Sequence, residues 1–259
     1  MGAPLDSKSN QPTLVTFLLD ATQSMQSIKK STLEAFNSYV NELKAGAAGI
    51  AFTLVTFNRN EIAKVHHEVP VQDVPELTAA DYRPQSMTPL IEAATKTIRA
   101  LEKAIEAKAD KPKVVMCIQT DGEENCSERE YTWASLKALI AEKQKDGWQF
   151  NFMGAGIDAY DQAGKMGLGA AATMSYDHAS PEATKSAFRA SAQNTMLFAS
   201  GARGNTSYGL DQKIAAGDAF DPDQVAGGPS PAPVVRNADV DLSTPDAPAA
   251  AKKKDELVL

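Results

Sequence analysis

Short, nearly continuous apolar runs alternate along this chain with longer stretches whose apolar residues recur at helical spacing. No other feature of the sequence restricts the possible folds as strongly. Leu14-Val15-Thr16-Phe17-Leu18-Leu19 is such a run, ending at Asp20, and a strand without polar alternation is one buried on both faces. Met25, Ile28, Phe36, Val40 and Leu43 then follow at helical spacing until Gly46 and Gly49 break the pattern. A second strand is expected over Ile50 to Phe57, and an antiparallel edge strand over Ala63 to Val69, before Pro70. Leu90, Ile91, Ala94, Ile98, Leu101 and Ile105 mark one face of a long helix, and Val114 to Ile118 is a further buried strand. A helix over about 128–145, a strand over 148–153, a short helix near Tyr160, a strand over 172–176 and a last helix opened by Pro181 complete the pattern. Strands separated by helices imply an α/β fold. The expectation is a Rossmann-like, doubly wound, mostly parallel sheet with one antiparallel edge strand, flanked by helices.

The alternation stops near residue 206. Beyond it, five basic residues face nine acidic ones, so four of the chain's seven excess negative charges lie there, with six of its fourteen prolines between Pro222 and Pro248. Such a segment buries too little apolar surface to offset its ordering entropy. The expected organisation is a flexible N-terminus over 1–11, one domain over 12–206 and a disordered Pro/Ala/Asp-rich tail over 207–259. The acidic balance argues against nucleic acid as partner, because phosphate binding calls for surplus Lys and Arg. No stretch approaches the roughly 20 apolar residues of a membrane span, and residues 1–11 lack the apolar core of a signal peptide. Two cysteines, Cys117 and Cys126, are too few for a disulfide framework. The expected compartment is the cytoplasm.

In an open parallel sheet, ligands bind beyond the carboxyl ends of the strands, where the strand order reverses. The polar residues after each apolar strand are therefore the first candidates. Asp20-Ala21-Thr22-Gln23-Ser24 follows the first strand, Gln119-Thr120-Asp121-Gly122 follows the Val114–Ile118 strand, and Ser86-Met87-Thr88-Pro89 precedes the long helix. Two carboxylates and three hydroxyls converge if these segments are neighbours. All are hard oxygen donors, a set suited to Mg²⁺, Mn²⁺ or Ca²⁺ rather than zinc or copper.

These residues resemble the metal-ion-dependent adhesion site (MIDAS) of von Willebrand factor A (VWA) domains, with its D-x-S/T-x-S, then T, then D. The three pieces stand in that order as Asp20-Ala21-Thr22-Gln23-Ser24, Thr88 and Asp121. Met153-Gly154-Ala155-Gly156 also resembles the family's hydrophobic-Gly-x-Gly run, and the resemblance spans about 12–200. Two positions depart from the usual pattern: Thr22 replaces the commoner Ser, and Ser86-Met87 stands where many members have Gly-Gly. The resemblance implies that Thr22 and Ser24 bind the ion through hydroxyls, with Asp20 and Asp121 acting mostly through waters and Thr88 directly or through water. It further implies that a Glu or Asp of a partner protein completes the coordination, so that the domain recognises proteins rather than breaking bonds. Cytoplasmic members that act with AAA+ ATPases bring that class forward as a candidate partner.

Each piece also has a plainer reading. Asp20, Thr22 and Ser24 suit a helix cap, Asp121-Gly122 a turn, and Thr88-Pro89 a helix start. Glu123 and Glu124 are expected to form a solvated acidic rim. Gly154 and Gly156 lack the third glycine of a dinucleotide loop, since Ala159 occupies its place. His66 and His67, adjacent on a strand, point to opposite faces and make a poor ligand pair. The enzymatic alternative is a metal-dependent phosphohydrolase with Asp20 as nucleophile. Thr22 stands where such enzymes place a second carboxylate, and a hydroxyl cannot serve as general acid there near neutral pH.

Overall fold

The computed structural model describes residues 11–46 and 49–218. Strand β1 (Thr13–Asp20) is buried at every position, which is why its sequence shows no polar alternation. It pairs in parallel with β2 (Ile50–Asn58) on one side and β4 (Lys113–Thr120) on the other. Strand β3 (Glu61–Pro70) runs antiparallel to β2 at the edge and is only partly buried. Strands β5 (Gln149–Ala155) and β6 (Thr173–Tyr176) continue the sheet in parallel on the far side of β4. The order is β3-β2-β1-β4-β5-β6, the doubly wound, mostly parallel sheet with one antiparallel edge strand expected from the sequence.

Helices cover both faces. Helices α1 (Lys29–Gly46) and α5 (Pro181–Ala199) pack on one, where Val15, Phe17 and Leu19 of β1 meet Phe36, Tyr39, Leu43 and Phe188. The Phe17 ring lies 5.3 Å from Phe36, 5.0 Å from Tyr39 and 5.7 Å from Phe188, so one side chain of β1 ties both helices to the sheet. On the other face, Leu14 and Leu18 pack with α2 (Leu90–Glu106), α3 (Trp133–Lys145) and α4 (Ala159–Lys165). Helix α3 starts at Trp133 rather than near 128, because the Thr132 hydroxyl accepts the Ser135 N–H at 3.1 Å and sets the cap there.

The described structure continues past residue 206. A short helix α6 (Leu210–Ala215) docks beside β6, with Tyr208, Lys213 and Ala216 buried, and order continues through Asp218. The anchor is polar: Lys213 Nζ donates to the Thr173 carbonyl, lies 2.7 Å from the Tyr160 hydroxyl and 3.3 Å from Asp218 Oδ2. Hydropathy periodicity carries no trace of such an anchor. The expectations for the flexible N-terminus, apart from Gln11, and for the tail beyond Asp218 fall outside the described residues.

Candidate metal centre

The chain leaves β1 toward β2 through α1 on one face, and leaves β3 toward β4 through α2 on the other. The strand order therefore reverses between β1 and β4, and the carboxyl ends of these two strands frame a crevice. Asp20, the last residue of β1, sits at its floor with 0 % exposure. Its Oδ1 accepts the Thr22 backbone N–H at 2.7 Å and its Oδ2 accepts the Thr120 hydroxyl at 2.5 Å. Burial nevertheless pushes the Asp20 carboxyl up to about 7, against the opposing pull of the hydrogen bonds from Thr120 and Thr22.

After Asp20 the chain turns through a 3-10 segment, Gln23–Gln26, whose N-cap is Thr22. This turn brings Thr22 Oγ1 within 3.2 Å of Ser24 Oγ, and Ser24 Oγ donates to Asp121 Oδ1 at 2.6 Å. Asp121, just past β4, is half-buried, and burial raises its carboxyl as well. The hydrogen bond from Ser24 opposes that rise and favours the Asp121 carboxylate.

Thr88 reaches the same place from the loop before α2. A Cβ added to Gly122 would stand 3.0 Å from Thr88 Oγ1 and 3.6 Å from Ser24 Oγ, so the three segments close around a position with no room for a side chain. Among the described residues the Thr88 hydroxyl makes no hydrogen bond, while its N–H and C=O are clamped by Asn125 at 2.9 Å and 3.1 Å. Backbone bonds lace the first and second segments together: Gln23 N–H to Ser86 C=O at 2.9 Å, and Gln85 N–H to Ala21 C=O at 2.8 Å. Ser86 adopts a left-handed φ of 65°, the conformation that glycine supplies most readily. The departure from Gly-Gly noted in the sequence is thus absorbed by a serine in the glycine conformation. The neighbouring Met87, 43 % exposed, stands on the rim.

Asp20, Thr22, Ser24, Thr88 and Asp121 are thus all gathered at one rim. The helix-cap reading of the first segment does not account for this: Thr22, at the N-cap of the turn, makes no side-chain cap bond. Among the described residues no three His, Cys, Asp or Glu cluster as a metal-binding group. The donor set here is instead two carboxylates and three neutral hydroxyls, which fits a hard divalent cation. The raised Asp20 carboxyl fits too, since a cation beside it would offset the cost of burying its charge.

Thr120, Asn125 and Glu124 escaped the sequence reading. Thr120 fixes Asp20, and Asn125 fixes Thr88. Glu124, expected in a solvated rim, turns inward instead. Its carboxylate accepts the Ile91, Cys126 and Ser127 N–H groups at 2.8, 2.8 and 2.7 Å and the Ser127 hydroxyl at 2.6 Å. Glu123 remains exposed. Gly154 serves packing: a Cβ there would come within 2.5 Å of the Ala159 side chain.

The family model for the von Willebrand factor type A domain matches residues 15–190. Solved structures with the same fold include proximal thread matrix protein 1 from the mussel byssus, in a form described as having a zinc-occupied MIDAS motif. That likeness has 14 % identity and a TM-score of 0.51, covering 70 % of this chain and 47 % of the mussel chain. The pilus adhesin SpaC from Lactobacillus rhamnosus GG, in its open conformation, gives 12 % identity and a TM-score of 0.54, covering 73 % of this chain and 30 % of the adhesin. This chain thus matches about half of the mussel protein's length and under a third of the adhesin's. A comparison with curated protein sequences finds no match. With the strand order, the crevice and the family match in agreement, the chain belongs to the von Willebrand factor type A domain family.

Proposed function

We propose that this chain is a divalent-cation-dependent protein-recognition module. Asp20, Thr22, Ser24, Thr88 and Asp121 would hold Mg²⁺, with Mn²⁺ or Ca²⁺ as substitutes. The observation that carries this reading is the convergence around Gly122 of oxygen donors from three segments far apart in sequence. When bound, the cation supplies a Lewis-acidic position that attracts an anionic ligand, here a Glu or Asp side chain of a partner protein. The chain's own residues do the rest. Thr22, Ser24 and Thr88 present neutral oxygens, while Asp20 is held on Thr120 and Asp121 on Ser24. With the two carboxylates acting through waters, as the family resemblance implies, neutral hydroxyls would touch the cation directly and leave it electrophilic toward one more anion. Exposed Met87 offers the partner an apolar contact beside that position.

A hydrolytic role is disfavoured by Asp20 itself. A nucleophilic carboxylate needs an accessible oxygen, and both of its oxygens are engaged in a fully buried position. An AAA+ ATPase is the partner class proposed from the family resemblance, and Mg²⁺-dependent co-elution of a purified candidate, reversed by EDTA, is its test.

The cation itself is tested on the full chain by titrating Mn²⁺ and following water-proton relaxation, with Mg²⁺ as competitor. Asp20→Ala and Asp121→Ala are expected each to abolish saturable binding while the circular dichroism spectrum stays folded. Saturable binding retained in both variants would overturn the assignment, as would partner binding unchanged by EDTA.

A further inference from the structure

The chain leaves the described fold at the same end of the sheet as the candidate metal centre. Helix α5 first carries it away from that end. Lys113, the first residue of β4, donates Nζ to the Phe198 and Ala199 carbonyls at 3.1 Å each, so α5 finishes at the amino ends of the strands. The return is traced by hydrogen bonds along β6. Tyr208 N–H donates to the Ala171 carbonyl at 2.8 Å, before the strand, and Lys213 Nζ donates to the Thr173 carbonyl at its first residue. The Ala216 carbonyl then accepts the Asp177 N–H at 3.1 Å, just past the strand's last residue. A Cβ added at Gly217 would stand 3.3 Å from the Asp177 side chain, which puts the exit at the carboxyl end of β6. Thr120 pairs with Gly154 and Ala155 with Tyr176, so Asp121, Gly156 and Asp177 follow three neighbouring strands at nearly one level.

The distance from exit to metal centre is short for a tether. Strands β4 and β6 are two spacings apart, about 10 Å, and the offsets beyond each strand bring the span to about 20 Å. The sequence past Asp218, outside the described residues, carries Asp221 and Asp223 and then no acid until Asp239-Val240-Asp241. Fully extended, Asp221 and Asp223 reach at most about 10 and 17 Å. Asp239 follows Asp218 by 21 residues, and chain statistics give a linker of that length an r.m.s. reach of about 25 Å. A tether whose reach matches its span holds its end at an effective concentration in the millimolar range. Carboxylates, the chemistry that the metal centre is proposed to seek, are thus tied to its own rim.

We propose that Asp239-Val240-Asp241 is an internal ligand of the metal centre, with one of its carboxylates taking the anion position on the bound cation. The segment then holds the site against weak partners, and a partner must displace it to bind. This inference rests on the divalent-cation reading of Asp20, Thr22, Ser24, Thr88 and Asp121.

The test uses the full chain, isotope-labelled and saturated with Mn²⁺, whose paramagnetism broadens the amide signals near it. Signals of residues 239–242 are expected to weaken against those of 255–259. Asp239→Asn with Asp241→Asn is expected to restore them about twofold, the change for a ligand half bound at an effective concentration equal to its dissociation constant. Excess acetate, which carries the same carboxylate, is expected to restore them in the parent chain. Broadening that survives the double substitution would overturn the proposal, as would restoration by Asp221→Asn with Asp223→Asn in its place. Broadening retained in Asp121→Ala would show the tail binding Mn²⁺ by itself, and broadening that fades on dilution would place the tail of a second copy at the site; either overturns the internal ligand. Saturable Mn²⁺ binding with unbroadened 239–242 signals refutes this inference alone, whereas absence of saturable binding removes the metal centre and the inference with it.

Discussion

Asp20 is the residue on which the proposed metal centre and the stability of the domain meet. Its carboxyl is raised from 3.8 to about 7, chiefly by burial. An acid raised in this way holds its proton more tightly folded than unfolded. Its contribution to stability is therefore greatest when protonated and falls as pH rises from about 4 through 7. The gap corresponds to a penalty on the order of 4 kcal/mol at alkaline pH for the cation-free chain. Asp20→Asn removes the charge and keeps the shape, and the Thr120 hydroxyl can turn to the Gly122 carbonyl, 3.0 Å away. In EDTA at pH 8, Asp20→Asn is expected to melt at a higher temperature than the parent chain, with the difference shrinking toward pH 5. Added Mg²⁺ should raise the melting temperature of the parent only. Thermal unfolding across pH, with and without Mg²⁺, checks both, and a variant less stable than the parent at pH 8 in EDTA would sink the argument.

At the scale of elements, the loop after β4 organises the site more than any helix does. Glu124 takes up the Ile91 N–H in the first turn of α2, one of the donors a helix start leaves without a partner. It also folds its own loop through Cys126 and Ser127, and that loop presents Asn125 to Thr88. Glu124→Ala leaves these part-buried donors without their acceptor, and hydrogen bonds to a charged group are worth about 1.5–3 kcal/mol each. The expected result is a loss of about 3 kcal/mol in urea unfolding and weaker Mn²⁺ binding, with all five donors unchanged; an unaltered urea midpoint would refute it. This loop also marks what the sequence could not disclose. The buried strands were legible because β1 and β4 have no polar alternation, and the donors because Asp20, Thr22, Ser24, Thr88 and Asp121 stand where the strands and the loop before α2 end. Glu123 and Glu124 are identical in type and adjacent in sequence, yet one is exposed and the other bonds four groups. Only the approach of α2 separates them, and that approach is a tertiary contact without local periodicity.

At the scale of the whole molecule, the sheet has two edges, and the fold treats them differently. Strand β3 shields its edge by partial burial and charge, with Glu61, Lys64 and Glu68 along it. Strand β6 is short, and its outer edge is closed by the segment that the sequence assigned to a tail. Lys213 Nζ donates to the Thr173 carbonyl, and Asp218 Oδ2 accepts the Ser175 N–H at 3.1 Å. An ion pair thereby replaces the neighbouring strand that β6 lacks, and an unpaired edge is a template for association. The same segment steadies the turn that carries His178, since Asp177 N–H donates to the Ala216 carbonyl at 3.1 Å. A chain ending at residue 206 is therefore expected to melt lower than one ending at residue 220 and to self-associate in size-exclusion chromatography. The single change Lys213→Met isolates the cause. It leaves the buried Asp218 carboxylate without its cation, a loss of about 3–5 kcal/mol, whereas Lys213→Met with Asp218→Asn removes both charges and should recover part of that stability. If Lys213→Met alone left the melting temperature unchanged, the edge would be held by packing of α6 and not by the ion pair.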